Sequence, residues 1–365
     1  MKKNVIIFMP SIEDGGVEKN LYEVSNYLVK NNISLEIITC SMNMSFKFSK
    51  DIKFIGTKNS YWNNRSRYIK YIICLLILFL TLIKRKEKTL VFAFQANIYA
   101  VILAKILNVK IITRSNSAPP GWSQNAIKNF IYKFFIKFAN DVMVNSFEFK
   151  KIFEKKFNIK VKCIYNPFNK NFVLKKIKIK KKITFFKKGY LNIISVGRLT
   201  DQKDHLTLLR SIKELDSNFK VKVIIIGKGS TKDILKRYII KNNLQNKIKL
   251  FGYTNNPFPF IQKANIVVLT SKFEGLPNIL LEAQFLRKYI ISTNCPTGPK
   301  EILLNSKAGD LINIGDFKKL SHLIKNYSNN KNSIIKKINT GYKKFYRFDY
   351  MLNCKKYLNF IKNNY

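Results

Sequence analysis

Ile266-Val267-Val268-Leu269-Thr270, followed by Phe273-Glu274-Gly275-Leu276-Pro277-Asn278-Ile279-Leu280-Leu281-Glu282-Ala283, is the stretch on which the reading of this chain turns. The first five residues are β-branched or aliphatic and predict a short buried strand. Gly275 punctuates the turn, and Pro277 suits the first position of a helix, where its missing N–H is no loss. From Pro277 to Leu286 the pattern is helical. A strand, a tight turn and a helix make a βα unit, and the helix start turns its peptide dipoles and the N–H groups of Leu276, Asn278 and Ile279 toward an anion such as phosphate. Glu274 stands before the turn and Glu282 one turn into the helix. Two carboxylates around a phosphate suit the hydroxyls of a sugar nucleotide; a simple helix cap with Glu282 in solvent is the plainer alternative.

A second strand-to-loop transition supplies the cations. Leu191 to Val196 reads as a strand, and Gly197-Arg198-Leu199-Thr200-Asp201-Gln202-Lys203 follows it, with a helix after that. Arg198 and Lys203 then clamp a diphosphate, since a guanidinium gives forked hydrogen bonds and an ammonium a compact point charge.

Working outward, short apolar strands alternate with helical segments along the whole chain, which predicts α/β layers with parallel sheets. The first series has strands at Val5 to Met9, Leu35 to Thr39, Leu90 to Phe94, Lys110 to Thr113 and Val142 to Asn145. The second has Leu191 to Val196, Val221 to Ile226, Ile248 to Phe251, Ile266 to Thr270 and Tyr289 to Ser292. The 365 residues suffice for two separate cores. We therefore expect a first domain at 1–168 and a second at 191–347. Residues 169–190 read as the connection between them, because 169–188 holds nine lysines and no acid. A terminal helical segment at 348–365 carries Tyr350, Met351, Cys354, Tyr357, Leu358 and Ile361 at helical intervals.

Several motifs in order resemble one family. They are Gly197-Arg198-Leu199 with Gln202-Lys203, Ile226-Gly227-Lys228-Gly229, Phe251-Gly252-Tyr253, the Glu274 and Glu282 pair, and Asn294-Cys295-Pro296-Thr297-Gly298-Pro299-Lys300-Glu301-Ile302. Gly15-Gly16-Val17-Glu18 and Asn166-Pro167-Phe168 extend the likeness toward the start. The set resembles family-four retaining glycosyltransferases of the GT-B architecture, of the bacterial surface-polysaccharide type. The resemblance implies two Rossmann-like, doubly wound domains facing across a cleft, with the terminal helix crossing back to the first domain. It implies transfer of a sugar from a nucleoside diphosphate sugar, UDP-linked, with retention at the anomeric carbon. Glu274, Arg198 and Lys203 would form the catalytic set, with Glu274 holding the transferred sugar and Glu282 the ribose. Gly16, Gly252, Tyr253, Gly275, Leu276, Pro277 and Asn278 would contact the donor. Many family members carry a histidine at a strand end in the first domain; Ile111-Ile112-Thr113-Arg114-Ser115-Asn116 occupies that position here. Arg114, Asn116 and Gln95 are thus expected on the sugar or acceptor side. A nucleotide-sugar epimerase of the same fold, and a silent relative that only binds nucleotide or membrane, are the rival functions.

Composition narrows the partners. Lys and Arg number 67 against 21 Asp and Glu, a net charge of +46 that draws anionic surfaces. The lysines are dispersed and show neither zinc-finger spacing nor an RNA-binding signature, so nucleic acid is not the expected partner. Tyr71 to Ile83 is almost wholly apolar and flanked by Arg65, Arg67, Lys70, Lys84, Arg85, Lys86 and Lys88, but too short to span a bilayer. Ile127, Phe130, Ile131, Phe134 and Phe138 form a second apolar stripe with lysines between. Each segment reads either as a core helix or as one lying at a bilayer interface. Peripheral attachment to the inner membrane and a lipid-linked glycan acceptor are expected, in a cytoplasmic enzyme without a secretory signal. The five cysteines lack a Cys-x-x-Cys spacing and read as reduced thiols, and the two histidines form no ligand cluster. Neither a tightly bound metal nor another cofactor is expected.

Overall fold

The computed structural model describes residues 3–12, 15–57, 61–62, 65–95, 97–116, 126–179 and 181–365. They form two compact units: residues 1–167 with 349–365, and residues 168–348.

The first unit is a seven-stranded parallel sheet in the order β3-β2-β1-β4-β5-β6-β7. Its strands are β1 (Lys3–Phe8), β2 (Ile33–Ile38), β3 (Lys53–Ile55), β4 (Thr89–Ala93), β5 (Lys110–Arg114), β6 (Asp141–Val144) and β7 (Lys162–Cys163). The helices between them are α1 (Gly16–Lys30), α2 (Arg67–Ile83), α3 (Asn97–Ile106), α4 (Ala126–Phe135) and α5 (Phe147–Phe157). Side chains alternate across a strand, so the pleat divides the core in two. Val5, Ile7, Phe92 and Ile112 face α1, whereas Ile6, Phe8, Val91 and Ile111 face α2 and α3.

α5 shows how local sequence sets an element. Ser146 caps it by accepting from Phe149 N at 3.1 Å, Phe149, Phe153 and Phe157 recur every four residues on one buried face, and Asn158 ends it in the left-handed conformation. Cys40 and Cys74, far apart in sequence, lie side by side in the core with sulfurs 3.4 Å apart.

The last helix belongs to the first unit. The helix at Tyr350–Asn364, α14, returns there after the second unit, capped by the Asp349 carboxylate on Leu352 N at 3.1 Å. Tyr357, Leu358, Phe360 and Ile361 of α14 are buried beside Leu21, Val24 and Leu28 of α1. At about 1.5–3 kcal/mol for each large side chain withdrawn from water, this face holds the terminal segment down.

The second unit is a six-stranded parallel sheet in the order β10-β9-β8-β11-β12-β13. The strands are β8 (Leu191–Val196), β9 (Val221–Ile226), β10 (Ile248–Gly252), β11 (Ile266–Leu269), β12 (Tyr289–Thr293) and β13 (Asp310–Ile312). Its helices are α6 (Lys170–Ile177), α7 (His205–Lys213), α8 (Lys232–Lys241), α9 (Phe258–Lys263), α10 (Asn278–Phe285), α11 (Pro299–Ile302), α12 (Phe317–Lys325) and α13 (Lys331–Lys343). Leu208 and Ile212 of α7, Leu235 of α8 and Leu320 of α12 share one core with Ile193, Val223 and Val268.

One boundary differs from expectation. Residues 169–190 are not a free-standing connection but part of the second unit. α6 buries Val173, and the Lys176 carbonyl accepts from Asn256 Nδ2 at 2.9 Å. Lys170, Lys175, Lys178, Lys182, Lys187 and Lys188 are exposed while Val173 and Ile183 are buried and anchor the segment, a division that lysine counting could not show.

Candidate active site

In a doubly wound sheet the strand order reverses at one point, and loops leaving the two strands there diverge to opposite faces and open a crevice. In the second unit that point lies between β8 and β11, which pair at Ile193 with Ile266. The loop after β8 carries Arg198 and Lys203; the loop after β11 carries Glu274.

The two loops meet. Lys203 Nζ donates to Glu274 Oε1 in an ion pair whose side chains keep only 14% and 9% of their surface exposed. Ser271 Oγ donates to the same oxygen at 2.6 Å. Gln202 Nε2 bonds the Phe273 carbonyl at 2.9 Å, and Lys272 N bonds the Gln202 carbonyl at 2.8 Å, so the loops are stitched along their backbones as well. Arg198 stays exposed, 3.4 Å from Gln202 Oε1 through Nη2. The cationic side of the site is therefore one largely covered ammonium and one guanidinium open to solvent.

A third loop, after β12, supports the turn from behind. Thr297 Oγ1 donates to the Glu274 carbonyl at 2.8 Å, and Glu274 N donates to the Pro296 carbonyl at 3.2 Å. Thr297 adopts φ 60°, a left-handed conformation unfavourable for a β-branched residue and held here by its hydroxyl contact. Gly298 at φ 85° lies so close to the turn that a Cβ would fall 2.0 Å from the Gly275 carbonyl oxygen. Only glycine allows the two backbones to approach in this way.

The helix after the turn, α10, begins at Asn278, with Pro277 as its extended N-cap rather than its first helical residue. The dipole argument for an anion at this end is unaffected. Glu282 is buried in the first turns of α10, as are Gly275, Leu276 and Pro277 before it, whereas Asn278 is half-buried. On the far side of β8, Gly252 takes φ 87° at the end of β10 and Tyr253 is exposed, with Lys228 Nζ 5.1 Å from its ring centroid.

Two buried groups here were not singled out from the sequence. His205, the first residue of α7, lies with Nδ1 3.2 Å from Ser195 Oγ. Burial, and then the Lys203 charge, push its pKa down to about 4, so the ring is neutral near pH 7. Cys295 is pushed up to about 12, by burial first and the Glu274 charge second, and stays a thiol. Ser271 and Thr297 were also missed as functional residues. The signal for Ser271 was its spacing, three residues before Glu274 across a turn.

The first unit holds the other expected residues. Gly16 opens α1. Gln95 follows β4, beside β1 where that sheet reverses, and its Oε1 accepts from Ser11 N at 3.1 Å. Asn116 Nδ2 donates to the Phe94 carbonyl at 2.9 Å, and its Oδ1 has no hydrogen-bond partner among the described residues. Arg114 requires a correction. Expected to reach a sugar or acceptor from a loop, it is instead fully buried, with Nη2 on Asn166 Oδ1 at 2.8 Å and its guanidinium 5.2 Å from the Phe94 ring centroid. It is the last residue of β5, so its side chain takes the strand's inward alternation and braces the sheet end from within.

Among the described residues no group of three or more His, Cys, Asp or Glu could hold a metal ion.

Residues 176–344 match the glycosyl transferases group 1 family. An uncharacterized glycosyltransferase of Methanocaldococcus jannaschii is 39% identical over 178 residues, spanning 47% of this chain and 44% of that protein. A Campylobacter jejuni N-acetylgalactosamine-N,N'-diacetylbacillosaminyl-diphospho-undecaprenol 4-alpha-N-acetylgalactosaminyltransferase is 25% identical over 84% of this chain and 85% of its own length. Among solved structures, Anabaena Alr3699/HepE in complex with UDP superposes with a TM-score of 0.79 at 16% identity, covering 99% of this chain and all of the other. A glycosyltransferase from Rickettsia africae gives 0.81 at 19%, covering 100% and 98%. With its two Rossmann-like units the chain has the GT-B fold, and the segment that carries the crevice loops of the second unit is similar to the glycosyl transferases group 1 family.

Proposed function

We propose that the protein is a retaining glycosyltransferase that moves a hexose or N-acetylhexosamine from a UDP-linked sugar to a membrane-linked glycan, in the assembly of a surface polysaccharide or lipopolysaccharide. The observation that carries this reading is the Lys203–Glu274 pair at the reversal point of the second sheet, next to the N-terminus of α10.

In the resting protein Lys203 is neutralised by Glu274. A donor diphosphate competes for the ammonium and draws it off the carboxylate, while Arg198 adds a forked contact and the α10 dipole favours the same anion. As the glycosidic bond breaks, charge grows on the leaving diphosphate and these groups are already in place to receive it. Glu274, relieved of Lys203, then holds the hydroxyls of the transferred sugar, and Glu282 holds the ribose. Front-face attack, with the leaving phosphate accepting the acceptor proton, requires no carboxylate nucleophile. UDP is favoured as the carrier because a structural neighbour was solved with it. The lipid-linked acceptor is favoured by the diphospho-undecaprenol named for the Campylobacter relative. A peripheral position on the cytoplasmic face of the inner membrane accords with the basic charge and with the lack, among the described residues, of a helix long and apolar enough to cross a membrane.

The test incubates purified protein with a panel of UDP-sugars and bacterial lipid extract and measures both UDP release and sugar incorporated into lipid. We expect lipid-dependent transfer that falls about 100- to 1,000-fold in kcat for Lys203→Ala, with a smaller change in donor affinity. Conversion of the UDP-sugar to an epimer without any acceptor would replace the transferase with an isomerase.

A further inference from the structure

From Tyr71 to Ile83, α2 is apolar on every face but for Thr81, which is the composition of a buried helix, yet it lies in the outer layer of the first unit; Lys70, in its first turn, is buried. Cys74, Leu78 and Leu82 fill the core, while Tyr68, Ile72, Leu76, Leu80 and Ile83 on the opposite face are between 55% and 68% exposed. The sequence offered core or interface as alternatives; the helix has a face for each.

The outward stripe does not stand alone. α3 packs beside α2, with the Tyr71 and Tyr99 rings 6.4 Å apart, and presents Tyr99 and Ile106 outward. α4 also packs against α3 and exposes Ile127, Phe130 and Phe134. Lys105 of α3 lies 5.5 Å from the ring centroid of Phe138, just past α4. Three neighbouring helices thus each expose several large apolar side chains, more than the scattered exposed leucines of an ordinary monomer.

Its charge says what covers it. α2, α3 and α4 contain no Asp or Glu, while Arg67, Lys84, Lys86, Lys105, Lys133 and Lys137 are exposed along their ends and edges. A second copy of the chain would set these cations against one another. A lipid surface with anionic headgroups accepts both the apolar stripe and the cationic rim.

We propose that the outward faces of α2, α3 and α4 form a single docking surface that lies in the plane of an anionic bilayer without crossing it. This deepens the lipid-linked-acceptor reading above, but it is measured without turnover, so failure of docking and failure of the transferase chemistry register separately.

The experiment sediments the full-length protein with vesicles of phosphatidylcholine alone or of equimolar phosphatidylcholine and phosphatidylglycerol. Wild type should partition at least about tenfold more strongly onto the anionic vesicles, and less so as salt rises. Leu76→Glu with Leu80→Glu, and separately Phe130→Glu with Phe134→Glu, should each weaken partitioning by about tenfold or more at an unchanged melting temperature. Ile335→Glu, on the exposed face of α13, should leave partitioning as it was. Equal binding of wild type to neutral vesicles, or undiminished binding of both double variants, would overturn the assignment. So would a lipid-free dimer in light scattering that the same substitutions dissociate, since the surface would then belong to a second copy.

Discussion

Removing Lys203 should destabilise the protein because it strands Glu274. Truncating one partner of a sealed ion pair costs about 3–5 kcal/mol, most of it the penalty of the charge left behind. Here the two side chains retain 14% and 9% exposure, and Ser271 still donates to Glu274 Oε1. We therefore expect Lys203→Ala to lose about 2–3 kcal/mol. Glu274→Gln removes the acid but keeps its shape, so the double variant Lys203→Ala with Glu274→Gln has no orphaned charge. It should be less destabilised than the sum of the singles by about 1–2 kcal/mol. Urea unfolding of the four proteins at pH 7.5 closes the cycle. Because the pair is mostly out of solvent, the coupling should survive high salt, whereas an exposed pair would be screened. Additivity within about 0.5 kcal/mol would refute the reasoning, since the two groups would then not depend on each other.

Two further substitutions test the scaffold around the pair. Gly298→Ala meets both a positive φ and the Gly275 carbonyl and should cost roughly 2–4 kcal/mol, while Gly315→Ala, at φ 78° with nothing near its Cβ, should cost only about 1–2 kcal/mol; thermal melts that ranked them equally would deny the close approach. His205 is held neutral in the fold and takes up a proton in the unfolded chain near its usual value. Its contribution is therefore complete above about pH 6.5 and lost as the pH falls toward 4, roughly 3 kcal/mol in all. The pH dependence of urea stability should be shallower in His205→Gln over that window, and identical slopes would remove the effect.

Where sequence and structure agree, the agreement has a local cause. β8 and β9 were bounded to the residue, because Leu191 to Val196 and Val221 to Ile226 are mainly aliphatic runs, interrupted by Asn192 and Ser195 in the first and Lys222 in the second, and each is followed by glycine. β3, β7 and β13 went unseen. They are two or three residues long and sit at or next to sheet edges, so their conformation comes from the neighbour they pair with rather than from any run of their own. Glu274, Lys203 and the turn at Gly275 were legible because strand-loop-helix order puts loop residues at the carboxyl edge of a parallel sheet. The burial of Arg114 was not, because a strand end and a loop one residue apart look alike in sequence while pointing in opposite directions.

The sequence by itself determined that this is an α/β chain with two cores, roughly where its longer strands lie, and that cations and carboxylates stand at the strand ends. Those properties follow from hydrophobic period, turn chemistry and residue type, all of which act over a few neighbours. Only the tertiary structure decided that Lys203 and Glu274, 71 residues apart, form one largely buried pair, that α6 joins the second unit, and that α2, α3 and α4 are neighbours that each expose apolar side chains. Each of these depends on which distant segments the sheet order brings side by side, and pairing across a sheet leaves no mark within either partner's own stretch of chain.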